Sequence, residues 1–158
     1  MSNHLFAITL LSISLVLTAC GGGGGGGNGS TTTGGGNTTN ASSHNAGQNC
    51  LDSSCHGSGG NGPTFSSAGT IYSSSNAAQT NATVRFYVAG TNTLITEVTT
   101  DGSGNFYTDV DLSTHFSGAG VSPEVEGPSG GISSMVTAVS GACNASGCHA
   151  SNNRIRAN

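Results

Sequence analysis

Along the middle of the chain, apolar and polar residues alternate with a period of two. In "TVRFYV", Val84, Phe86 and Val88 alternate with Arg85 and Tyr87; in "FYTDVDL", Phe106, Val110 and Leu112, with Thr108, alternate with Tyr107, Asp109 and Asp111. A strand sends successive side chains to opposite faces, so each stretch predicts a strand with one buried and one wet face. "GTIYSS", "TLITEVTT", "SPEVEG" and "SSMVTAV" are further short candidates, separated by Gly, Asn, Ser and Asp. Six or seven such strands at this spacing predict a mainly β protein, an antiparallel β-sandwich over residues 63–141. No stretch carries a long amphipathic helical period.

The pattern changes before residue 44. Residues 5–19 are mostly apolar and too few to span a bilayer comfortably, as in a secretory signal. The signal ends in "LTAC", which resembles the bacterial lipobox; the resemblance implies removal of residues 1–19 and lipidation of Cys20. The n-region departs from the usual pattern, with His4 in place of Lys or Arg. Seven glycines and "NGSTTTGGGNTTNASS" follow, with nothing apolar to bury, so residues 20–43 read as a disordered tether. The expected location is an exported lipoprotein at the outer membrane or cell surface, with extracellular and periplasmic sites both open.

Charge narrows the classes further. The chain has three Arg, no Lys and seven acidic residues, which gives a phosphate backbone no positive surface and excludes nucleic acid as a partner. Charged residues are 6% of the chain, far below the roughly one quarter usual in soluble domains.

Chemistry is concentrated at the two ends of the sandwich. "HNAGQNCLDSSCH" holds His44, Cys50, Cys55 and His56; "CNASGCH" holds Cys143, Cys148 and His149. Both contain Cys-x4-Cys-His, and with Cys20 they account for all five cysteines. Local disulfides suit an oxidising compartment but give no reason for a His after the second Cys of each unit. Zinc accepts these ligand types, yet adjacent Cys and His seldom aim at one tetrahedral centre. Covalent haem uses Cys-x-x-Cys-His, two thiols on the porphyrin edge and the next imidazole on the iron. The spacing here is two residues longer, and it resembles the variant Cys-x4-Cys-His sites of bacterial multihaem cytochromes.

That resemblance implies two haem c groups, bound covalently through Cys50, Cys55, Cys143 and Cys148 within segments 44–62 and 142–158, with His56 and His149 as proximal ligands. Once His4 leaves with the signal, His44 and His115 remain as one distal ligand for each iron, and Met135 is the alternative soft ligand. Whether His44 serves its own haem, the other one or one in another chain is open at this stage.

Two other patterns were weighed. Asp101, Ser103 and Asn105 alternate as in a calcium loop, but Phe106 and Leu112 stand where the loop needs Gly and a bidentate acid, so a Gly-rich hairpin turn is the better account. The order "AGTIY", "NATVRFYVAGT", "ITEVTTDGSGNFYTDVDL" resembles the carboxypeptidase-regulatory-like or transthyretin-like sandwich, which implies a non-catalytic spacer. The combined expectation is a small dihaem c-type cytochrome lipoprotein, not an enzyme, passing single electrons in anaerobic or extracellular respiration. Other cytochromes or redox proteins would be its partners and a lipid anchor its membrane contact. A bolder version stacks haems from subunit to subunit in a homo-oligomeric filament. The alternative is a non-haem surface lipoprotein whose sandwich binds a partner, its Cys pairs serving as disulfide or metal staples.

Overall fold

The computed structural model describes residues 43–135, 137–139, 141–145, 148–149 and 153–157. The expected signal peptide, the tether up to residue 42 and the lipidation site Cys20 lie outside the described residues. Among those described, no helix is long and apolar enough to cross a membrane.

The chain is mainly β and forms two sheets. The elements are β1 (Ser67–Tyr72), β2 (Thr83–Val88), β3 (Leu94–Thr99), β4 (Asn105–Thr108), the one-turn helix α1 (Ser113–Phe116), β5 (Val121–Glu126), β6 (Ile132–Ser134) and β7 (Ile155–Arg156). One sheet has the order β4-β1-β7 and the other β3-β2-β5-β6. The four-stranded sheet is antiparallel throughout, with Val84 opposite both Val98 and Val125. Ile71 and Phe106 from the first sheet and Val84, Phe86, Val98, Val121 and Val125 from the second form one buried cluster. Phe86 and Phe106 meet across it, ring centroids 6.3 Å apart and tilted by 51°. Burying each such side chain contributes about 1.5–3 kcal/mol, so this contact zone is what holds the sheets together.

The outer face of the larger sheet follows the alternation. Arg85 on β2 lies between Glu97 on β3 and Glu124 on β5, at 3.3 and 3.5 Å, and reaches Glu126 at 2.7 Å. All three contacts are partly exposed, so water screens them and they add little stability.

The structure departs from the expected strands in three places. β4 stops at Thr108, whose hydroxyl accepts the Val110 N–H, and Asp111 Oδ1 then accepts the Ser113 N–H as the chain turns into α1. Local side-chain acceptors end the ladder there, although Leu112 remains fully buried. β6 is only three residues long and exposes Ile132, as an edge strand can. β7, in the segment expected to serve the second haem, pairs parallel with β1, so the sandwich is not purely antiparallel.

β1 is the central strand of the smaller sheet and is covered on both faces, which explains its small residues. A Cβ on Gly69 would lie 2.9 Å from the Cβ of Cys143 and 2.9 Å from the Phe106 ring. Only glycine lets the second cysteine segment lie directly on this strand.

Candidate functional site

The two Cys-x4-Cys-His units fold alike. In the first, the Asp52 N–H donates to Asn49 O (3.3 Å), Cys55 N–H to Asp52 O (2.9 Å) and His56 N–H to Cys50 O (3.0 Å). In the second, Ala145 N–H donates to Ala142 O (3.2 Å), Cys148 N–H to Ala145 O (3.0 Å) and His149 N–H to Cys143 O (3.0 Å). All three bonds match position for position although three of the four intervening residues differ. The spacing therefore sets a backbone turn that brings the second Cys and the His back over the first Cys.

The histidines match as well. His56 Nδ1 is 2.8 Å from Pro63 O, and His149 Nδ1 is 2.9 Å from Asn153 O. A carbonyl oxygen can only accept, so each Nδ1 carries the proton and each Nε2 keeps its lone pair. That tautomer, fixed by a backbone carbonyl, is the one a metal-ligating imidazole needs.

Each unit opens onto a cleft. The first, about 470 Å³, is lined by His44, Cys50, Cys55, His56, Phe65 and Tyr107, among others. All four ligand candidates of the first segment are therefore in one place. The imidazoles of His44 and His56 have centroids 5.9 Å apart, and His56 stacks on Phe65 (4.1 Å), which stacks on Tyr107 (4.4 Å). The second cleft, about 360 Å³, is lined by Phe116, Met135, Val139, Cys143, Cys148 and His149. A smaller cleft of about 160 Å³ shares Met135, Cys143 and His149 with it and adds Arg154 and Arg156. Met135 thus lines the second site, whereas His115 sits on α1 beside Phe116 and lines neither cleft.

Both turns are fastened to β1 through one hydroxyl. Thr70 Oγ1 accepts the Gly47 N–H (2.8 Å) and the Asn144 Nδ2–H (3.2 Å) and donates to Asn105 Oδ1 (2.6 Å). Asn144 Oδ1 in turn accepts the Thr70 N–H (3.3 Å), and Cys143 N–H donates to Ala68 O (3.2 Å). Two units 93 positions apart in sequence are thereby held against the same strand. Burial pushes the Cys143 thiol up to about 11; the hydrogen bond with Ser67 opposes it, and the Cys148 and Cys50 thiols add smaller upward effects.

The turn after β3, tested above as a calcium loop, anchors the first segment. Asp101 Oδ1 accepts the Ser103 and Asn105 N–H groups (2.8 and 3.0 Å), Asp101 Oδ2 accepts the Ser43 N–H (2.9 Å), and Gly104 takes φ +72. Asn105 Nδ2 donates to Ser43 Oγ (2.8 Å) and His44 O (3.2 Å). The backbone of His44 is therefore pinned by residues 61 and more positions away. Thr70, Asn105 and Asn144 carry no metal-ligand chemistry, and in a chain rich in Thr and Asn the sequence offers no signal that singles them out.

No disulfide closes either unit in this structure: Cys50 is not joined to Cys55, nor Cys143 to Cys148. Among the described residues, no group of three or more His, Cys, Asp or Glu is arranged to hold a bare metal ion. No protein family, curated protein or solved structure matches the chain. Its own geometry must carry the functional argument.

Proposed function

We propose that the protein is a dihaem c-type cytochrome that transfers single electrons, with each Cys-x4-Cys-His turn holding one haem. The observation that carries this is the duplicated turn: equivalent backbone bonds, two cysteines at the same spacing, and a histidine in each whose Nδ1 proton is fixed on a carbonyl. A disulfide staple needs none of the histidine geometry, and a four-ligand metal site needs a convergence that the described residues lack.

The donor sets fit the group. In the first cleft, Cys50 and Cys55 would supply the thiols, and His56 Nε2 and His44 would supply the nitrogen donors. Two imidazoles on one metal at about 2 Å each have centroids about 6 Å apart, close to the 5.9 Å between His44 and His56. In the second, Cys143, Cys148 and His149 play the same parts, and Met135 is the soft ligand that lines the cleft. Bound haem would supply a one-electron couple at each site. The chain's own work is positional: Pro63 and Asn153 carbonyls orient the imidazoles, Phe65 and Tyr107 cover one ring, and Thr70 keeps the two turns adjacent.

Export, Cys20 lipidation, a respiratory partner cytochrome and assembly into a filament belong to the same proposal and rest on the sequence patterns alone. The test is the intact mass and absorption spectrum of mature protein from a host that attaches haem to cytochromes. Two added haems with sharp low-spin bands on reduction are expected. Colourless protein with four reactive thiols would overturn the proposal.

Asn105→Ala probes the anchoring of His44. It leaves the Thr70 hydroxyl without its acceptor and the Ser43–His44 backbone without its donor, a loss of about 1–3 kcal/mol. Denaturant titration should show that loss. The electron paramagnetic resonance of the oxidised protein should show one of two low-spin signals altered and the other retained.

A further inference from the structure

From the distribution of charge around the two cysteine turns, we infer that the protein holds its two redox sites at different potentials, the second site higher than the first. The inference rests on the haem reading above and extends it to direction.

All ten charged side chains of the sequence fall within the described residues, so their charges can be accounted for completely. Arg85 is paired with Glu97, Glu124 and Glu126 on the outer face of the larger sheet, a partly exposed cluster that keeps a net negative charge screened by water. Asp109 and Asp111 lie on the loop into α1, outside both cysteine turns, and line none of the clefts described. Four charges remain, and they divide by site. Asp101, 4% exposed, accepts the N–H of Ser43, which lines the first cleft, and Asp52 lies inside the first Cys-x4-Cys gap. Arg154 and Arg156 line the smaller cleft shared with Cys143 and His149, and among the described residues neither is paired with a carboxylate. The second gap, Asn144 to Gly147, holds no charge.

The first site therefore has two anions at its lining and inside its turn, and the second has two cations lining its smaller cleft, where the one carboxylate bonded to a lining residue, Glu124 on Ser134, is paired with Arg85. Adding an electron makes a site more negative, so neighbouring cations favour the reduced state and neighbouring anions oppose it. The buried position of Asp101 makes its contribution the least screened of the four. Arg154 is held over the Tyr72 ring at 4.4 Å, and Arg156 donates to Asn76 Oδ1 at 2.7 Å, so both guanidinium groups have fixed places beside the second site. An electron arriving at the first site would move downhill to the second, which is fastened to the same strand through Thr70.

The test is a spectroscopic redox titration of the fully loaded protein and two double variants. Wild type should titrate as two one-electron components of equal amplitude. R154Q/R156Q should lower the upper component and leave the lower one in place, narrowing the gap. R154K/R156K, which keeps the charge but not the stacking or the planar fork, should restore most of the gap, separating charge from packing. A single component in wild type, or an upper component that stays put in the Gln pair, would overturn the inference while leaving a dihaem protein intact. Protein without haem would remove the reading beneath it as well.

Discussion

Thr70→Val should loosen both cysteine turns together, and it is the single substitution expected to cost the fold most for its size. Valine keeps the shape of threonine but deletes the hydroxyl that accepts from Gly47 and Asn144 and donates to Asn105. Thr70, Asn105 and Asn144 are all buried, so the two asparagines have no water to turn to. Unsatisfied buried groups cost about 1–3 kcal/mol each, and partial relaxation leaves a net loss of roughly 2–5 kcal/mol. Urea unfolding measures the loss, and limited proteolysis shows where it falls: cleavage should rise near residues 44–50 and near 142–149 in the same variant. Thr100→Val is the comparison. Its hydroxyl donates to Gln79 O (2.7 Å) and accepts from Ala82 N–H (2.9 Å), so stability should fall while both turns stay protected. Protection of either turn in Thr70→Val would show that the shared hydroxyl is not what joins them.

The second large effect concerns the cofactors. Replacing Cys143 and Cys148 by alanine should remove one covalent haem, halve the Soret absorbance per chain and lower the intact mass by one haem. The Cys50 and Cys55 pair should do the same for the other. The units are separate turns with separate clefts, so each loss is expected to be independent. Loss of both haems from one pair of substitutions would mean that the two turns form a single site, and no change in absorbance would mean that the thiols hold something else.

Much of the scaffold was legible because strand periodicity is a local property. β2, β3 and β5 lie where alternation predicts them, and the two-sheet β architecture follows from their number and spacing. β7 was not legible: two residues carry no period, and its parallel pairing with Tyr72 exists only because the second turn has already been laid on β1. At the site, Cys and His announce themselves by type and spacing. The fasteners do not, because Thr70, Asn105 and Asn144 acquire their meaning from tertiary neighbours 35 and 74 positions away. The alternating Asp101, Ser103 and Asn105 resemble an ion loop that lacks its Gly and its bidentate acid. What their pattern encoded was a side-chain-capped turn that binds backbone instead of metal.

Cys143 sets a constraint on timing. In the finished protein Cys143 is only 7% exposed beneath β1, and burial pushes its thiol up to about 11, which disfavours the reactive thiolate at neutral pH. A ligase working on completed protein would find that sulfur shielded and inert. If a thioether forms there, it forms while the C-terminal stretch is still nascent, before Ala142 bridges to Ala68. Chains that close early would leave the maturation machinery half-finished.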